Sequence, residues 1–95
     1  MIPTEKEFNC KEKQFPKKGI VFHKMYNGLH WRYFNKNNEN LSIVCHDGSY
    51  GHESGYFEIY PSWTDEENEN WGDSVKGYCT FGEVQHWIDK LNKRG

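Results

Sequence analysis

Residues 45 to 56 read CHDGSYGHESGY, a stretch holding Cys45, His46, Asp47, His52 and Glu53. Cysteine, histidine and carboxylate are the ligand set of zinc, and a cysteine beside a histidine is also a nucleophile–base pair. The spacing suits neither use. Cys45 and His46 are neighbours at the end of an expected strand, so their side chains point to opposite faces. His52 and Glu53 could reach His46 or Asp47, but they match no established ligand spacing. Strand parity turns Cys45 inward, where a thiol behaves as a small apolar group. Cys79 stands just before an expected helix, whose N-terminus would lower a thiol pKa, yet no base has an evident place beside it. Gly48, Gly51 and Gly55 lack the lysine and Ser/Thr that complete a phosphate loop. The stretch reads as a glycine-rich connection between strands, with no metal and no cofactor expected.

A second group of residues suggests recognition and not catalysis. Asp65, Glu66, Glu67, Glu69 and Asp73 lie within nine residues, flanked by Trp63 and Trp71. Carboxylates in a row can occupy a basic groove that otherwise takes phosphates, and the charge speeds encounter. The formal net charge of −2 conceals strong segregation. Residues 1–36 carry a balance of +5, residues 37–75 hold nine acids and no Lys or Arg, and the remainder is +2. Blocks of one sign give a surface a field of its own. Lys11, Lys13, Lys17, Lys18, Lys24 and Arg32 would serve direct nucleic-acid binding, but the nine uncompensated acids argue against it.

The elements that must position these residues follow from composition and period. Sixteen aromatic residues stand against twelve Val, Ile and Leu, with no alanine, so a few large rings must build the core. Nine asparagines and nine glycines favour sheet and loop over helix. TEKE at 4–7 forms a capping box for a short helix over 5–13. Asn27-Gly28 between two β-rich runs predicts a hairpin that pairs Tyr26 with Leu29, Lys24 with Trp31 and Phe22 with Tyr33. Strands are expected at 41–46 and 55–60, with a short fifth at 75–78. Ile20, Phe22, Tyr26, Leu29, Trp31, Tyr33, Leu41, Ile43, Cys45, Phe57 and Ile59 then share one face. The other face carries rows of His30, His46 and Tyr56; of Arg32, Val44 and Glu58, with His23 beside Arg32; and of Phe34, Ser42 and Tyr60. Tyr56 and Tyr60 make that open face a second candidate for partner binding.

The sequence TFGEVQHWIDKLNKRG closes the chain with a capping box, Thr80 and Glu83, and an apolar stripe of Val84, Trp87, Ile88 and Leu91. The expected fold is α+β over residues 1–95 as one domain: an antiparallel sheet of four to five strands with the C-terminal helix packed on one face. Charges in MIPTEKEF leave no room for a secretion signal, and no run of about twenty apolar residues would span a bilayer. Three cysteines, an odd number without CxxC spacing, do not read as a disulfide framework. A cytoplasmic protein is expected, with no membrane partner.

The close GYCTFGEVQHWIDKL resembles the ends of small phage-encoded proteins of AT-rich bacteria, and the chain is similar in size and acidity to anti-CRISPR and other anti-defence inhibitors. That resemblance implies a non-catalytic inhibitor in a bacterial host cell, bound to a CRISPR effector or nuclease with a basic nucleic-acid-binding groove. Asp65, Glu66, Glu67, Glu69, Asp73, Trp63, Trp71, Tyr56 and Tyr60 are the residues expected to bind it. The alternatives are an immunity protein of a bacterial toxin, and a small metal or thiol enzyme built on His46, His52 and Cys79.

Overall fold

Apolar residues at every second position bury one face of three consecutive β-rich runs within residues 28–61, and a meander is the simplest way to join them. The computed structural model describes residues 20–26, 28–72 and 74–95, and for residues 20–25 the backbone alone. Five antiparallel strands form one sheet in chain order: β1 (Ile20–Met25), β2 (Gly28–Phe34), β3 (Asn40–Cys45), β4 (Phe57–Pro61) and β5 (Lys76–Cys79). Helix α1 (Phe81–Arg94) packs across one face, an α+β arrangement as the sequence leads one to expect. The helix expected at 5–13 lies outside the described residues.

Most of the expected face forms the core. Tyr26 does not: it is 70% exposed, because the shifted pairing places it in the turn. The side chains of Ile20 and Phe22 lie outside the described structure. Leu29, Trp31, Tyr33, Leu41, Ile43, Cys45, Phe57 and Ile59 meet Val84, Trp87, Ile88 and Leu91 of the helix, with Trp63 and Cys79 at the margin. Each large side chain so buried contributes about 1.5–3 kcal/mol of transfer free energy. Thr80 caps the helix: its Oγ1 accepts from Glu83 N at 3.2 Å, and Glu83 Oε1 accepts from Thr80 N at 3.3 Å. The far end is clasped by the β2–β3 loop. Asn35 Nδ2 donates to Leu91 O, Asn37 Nδ2 donates to Arg94 O, and Arg94 pairs with Glu39 at 2.7 Å. These contacts satisfy carbonyls that the last helical turn cannot bond internally.

The register departs from expectation. Lys24 stands opposite Leu29 and Phe22 opposite Trp31, and Met25 pairs with Gly28, two residues from the expected pairing. Gly28 is therefore a strand residue and not part of the turn. Its glycine is required for another reason: a Cβ there would lie 2.0 Å from the Cys45 carbonyl and 2.4 Å from His46 Cα. The β2–β3 register is also displaced by two. His30 faces Val44 and Arg32 faces Ser42, while β3 and β4 pair as expected, Ser42 with Tyr60 and Val44 with Glu58. The open-face rows become His30–Val44–Glu58 and Arg32–Ser42–Tyr60, with His23 opposite His30. A shift of two preserves the side-chain parity, which is why the core survives it. No helix among the described residues is long and apolar enough to cross a membrane.

Candidate interaction surface

The glycine-rich stretch between β3 and β4 is organised by its own backbone. Ser49 is buried; its Oγ accepts from His46 N and donates to His46 O at 2.8 Å. His52 Nδ1 donates to the Ser49 carbonyl at 2.7 Å, and His46 Nδ1 donates to the Asp47 carbonyl at 2.8 Å. A carbonyl only accepts, so both Nδ1 atoms carry their protons. Gly51 and Gly55 bracket a single 3-10 turn, His52–Ser54, with φ of 86° and 76°. No cluster of three or more His, Cys, Asp or Glu side chains suited to a metal occurs among the described residues.

The cysteines correct the sequence reading. Cys45 is buried but disulfide-bonded, and its partner lies outside the described residues. An odd count excludes only complete pairing; one bridge and one leftover thiol are equally odd. Cys79 is the free cysteine among the described residues, and it is fully buried. Burial, reinforced by nearby Glu83, pushes its thiol up to about 12, against the lowering expected from the helix start. Its Sγ donates weakly to the carbonyls of Lys76 and Gly77. A thiol held in that state is a poor nucleophile.

The acidic loop between β4 and β5 is built around Asp65. Trp63 Nε1 donates to Asp65 Oδ2 at 2.9 Å, and the Glu67 amide donates to Oδ1 at 2.9 Å. Lys90 of the helix closes the site, 2.8 Å from Asp65 Oδ2. Burial alone would raise the Asp65 carboxyl, but the bonds from Lys90, Trp63 and the Glu67 amide outweigh it and hold the group at about 2. Asn68 completes the turn, accepting from Asp65 N at 2.7 Å and donating to Trp63 O at 2.9 Å. Glu67 binds His86 Nε2 at 2.9 Å and Lys90 at 2.9 Å; His86 foremost, then Lys90, draws its carboxyl below the usual range. Lys90 Nζ also lies 4.2 Å from the centre of the Trp87 ring.

The block of acids therefore divides. Asp65 and Glu67 are bound to the helix, whereas Glu66 and Glu69 are exposed and have no side-chain partner among the described residues. Asp73 lies outside the described residues. Trp63 is only 6% exposed and stacks near Trp87, with ring centres 5.9 Å apart; Trp71, half-buried, meets the same ring at 5.1 Å. Tyr60 is 47% exposed on the open face of β4.

These residues converge. A cleft of about 480 Å³ is lined by Tyr60, Trp63, Asn68, Glu69 and Trp71 among others, so the open sheet face and the acidic loop meet along one border. Asp65, Glu66, Glu67 and Lys90 line a shallower depression apart from it. Tyr56 joins neither; it packs edge-on against Tyr78 at 6.1 Å, beside exposed Tyr50. The sequence reading missed Lys90, His86 and Asn68, which shape the loop. The i, i+4 pair His86 and Lys90 beside the apolar stripe was the available signal. No protein-family model, curated protein or solved structure matches this chain.

Proposed function

We propose that this chain is a non-catalytic inhibitor of a host nucleic-acid-handling protein, a CRISPR effector or nuclease, acting in the bacterial cytoplasm. It would enter the basic groove of that partner with the carboxylates of its acidic loop. The observation that carries the reading is the meeting of Glu69, Trp71 and Tyr60 in one cleft, with exposed Glu66 on the same loop in the neighbouring depression. Free carboxylates supply long-range attraction, and half-buried aromatic rings at their edge supply the desolvated contact that fixes a complex. The buried, protonated Cys79 thiol accords with a protein that binds and does not react.

The disulfide at Cys45 favours a second reading, an immunity protein against a toxin that works where disulfides persist, such as the periplasm. Affinity capture from bacterial lysate and periplasmic extract, with mass spectrometry, separates the two. A nucleic-acid-handling protein should be retained from lysate and released by salt. It should be lost when Glu66→Lys and Glu69→Lys are combined. Asp65 and Glu67 do not serve this test, because reversal there places like charge against Lys90. Retention that ignores the double reversal overturns the acidic-surface mechanism.

A further inference from the structure

We infer that the cleft between Tyr60 and Trp71 is a receptor for a single guanidinium group, an arginine side chain offered by the protein partner. The inference rests on the proposed function for the identity of the partner, but the chemistry stands on the cleft itself. Its described lining carries one charge, the carboxylate of Glu69, which has no side-chain partner among the described residues, and no Lys, Arg or His. The remaining polar groups include the Thr64 hydroxyl, which can accept a hydrogen bond, and Asn68 and Ser62, which already accept from Asp65 N and Asn40 N. Aromatic rings with a carboxylate and neutral acceptors suit a cation that is planar, weakly hydrated and rich in donors.

The molecule already uses this chemistry twice on the helix side, once at Trp63, which also lines the cleft, and once at Trp87, which does not. Lys90 sits over Trp87 while binding Asp65 and Glu67, and Arg94 Cζ lies 5.2 Å from the Trp63 ring centre while pairing with Glu39. Both cations come from the chain itself and both have carboxylate partners. On the cleft side the aromatic lining again stands beside a carboxylate, that of Glu69. Of the nine acids over residues 37–75, helix cations pair with Glu39, Asp65 and Glu67, and exposed Glu66 adds to the favourable field. Arginine suits the site better than lysine because its planar fork can stack on a ring and bond a carboxylate in a bidentate manner at once.

The test uses the full chain labelled with ¹⁵N and three blocked tripeptides, Gly-Arg-Gly, Gly-Lys-Gly and Gly-citrulline-Gly. The indole N–H peaks of Trp63 and Trp71 should shift saturably with the arginine peptide, in the range of about 1 mM, while that of Trp31 stays in place. The lysine peptide should bind several-fold more weakly, and the uncharged citrulline peptide by about tenfold or more. Glu69→Gln should weaken the arginine peptide about five- to tenfold without changing the remaining spectrum. Tyr60→Ala, on an exposed position, gives an independent loss. Equal shifts with citrulline, or no shift at about 10 mM arginine peptide, overturn the inference. In the latter case, capture of a partner that still depends on Glu66 and Glu69 leaves the proposed function in place. Peptide binding without any such partner would sink the function and keep the site.

Discussion

The loop joining β3 to β4 and the loop joining β4 to β5 both carry clustered polar groups, yet they are held by opposite means. The first is fixed from within: serine, histidine and backbone bond one another, and glycines at positive φ turn the chain. Its histidines are committed to carbonyls, so residue types that look chemical serve as scaffolding. The second is fixed from outside, by Lys90, His86 and Trp87 of the helix. External anchoring takes up some of the acids and leaves others projecting. Side chains are released for recognition where another element does the holding.

The sharpest way to break the comparison is to remove the anchor. Trp87→Ala should destabilise the protein by about 3–5 kcal/mol, because the ring fills the core and seats both loop tryptophans. Urea denaturation should show this, and proteolysis in native buffer should cut residues 62–72 before 46–56. Equal cutting of both loops would mean that the second is not held by the helix.

Asp65→Asn should cost about 2 kcal/mol, since charge-assisted bonds to Lys90 and Trp63 are lost from a mostly buried carboxylate. The same substitution carries a pH signature. The folded carboxyl lies at about 2 against an ordinary 3.8, so its stabilisation is complete above the ordinary value and disappears as pH falls towards about 2. Urea midpoints between pH 5 and 2 should therefore fall more steeply for the unmodified protein than for the variant. Parallel slopes would remove Asp65 as the hub.

Within the first loop the expected effect is smaller and depends on space. Gly51→Ala should cost about 1–2 kcal/mol, because φ is +86° and the new Cβ meets Tyr56 Cβ at 2.8 Å. Gly48→Ala shares a positive φ of +93° but faces open space, and should cost about 1 kcal/mol. A reversed order would show that the loop adjusts around Tyr56. The smallest change is Glu66→Lys, within about ±0.5 kcal/mol by thermal melting, while partner binding weakens. A large loss of stability there would mean that Glu66 is structural, like Asp65 and Glu67.

Period and capping were legible along the chain. Alternation from Leu29 to Ile59 named the buried face, and TFGE marked the helix start with both halves of its box. Register was not legible. Asn27-Gly28 has the form of a hairpin turn, but the close approach of β2 to the Cys45 carbonyl imposes glycine at position 28 and moves the pairing by two. Such an approach exists only once the third strand is in place. The division of the acids was hidden for the same reason. Asp65 and Glu67 differ from Glu66 and Glu69 only in facing helix residues 19 to 25 positions away.

The clasp between the β2–β3 loop and the end of the helix has a kinetic consequence. Every strand pairs with its sequence neighbour, so the meander closes loops far shorter than those of Asn35, Asn37 and Glu39, which join residues 55 to 57 positions away. Contacts of that separation form late, after closure entropy has been met elsewhere. Interactions absent from the transition state act on the rate of escape from the native state and hardly on the rate of reaching it. The clasp, with the buried helix–sheet contacts of like separation, thus adds to how long a folded molecule lasts, while the hairpins govern how quickly one is made.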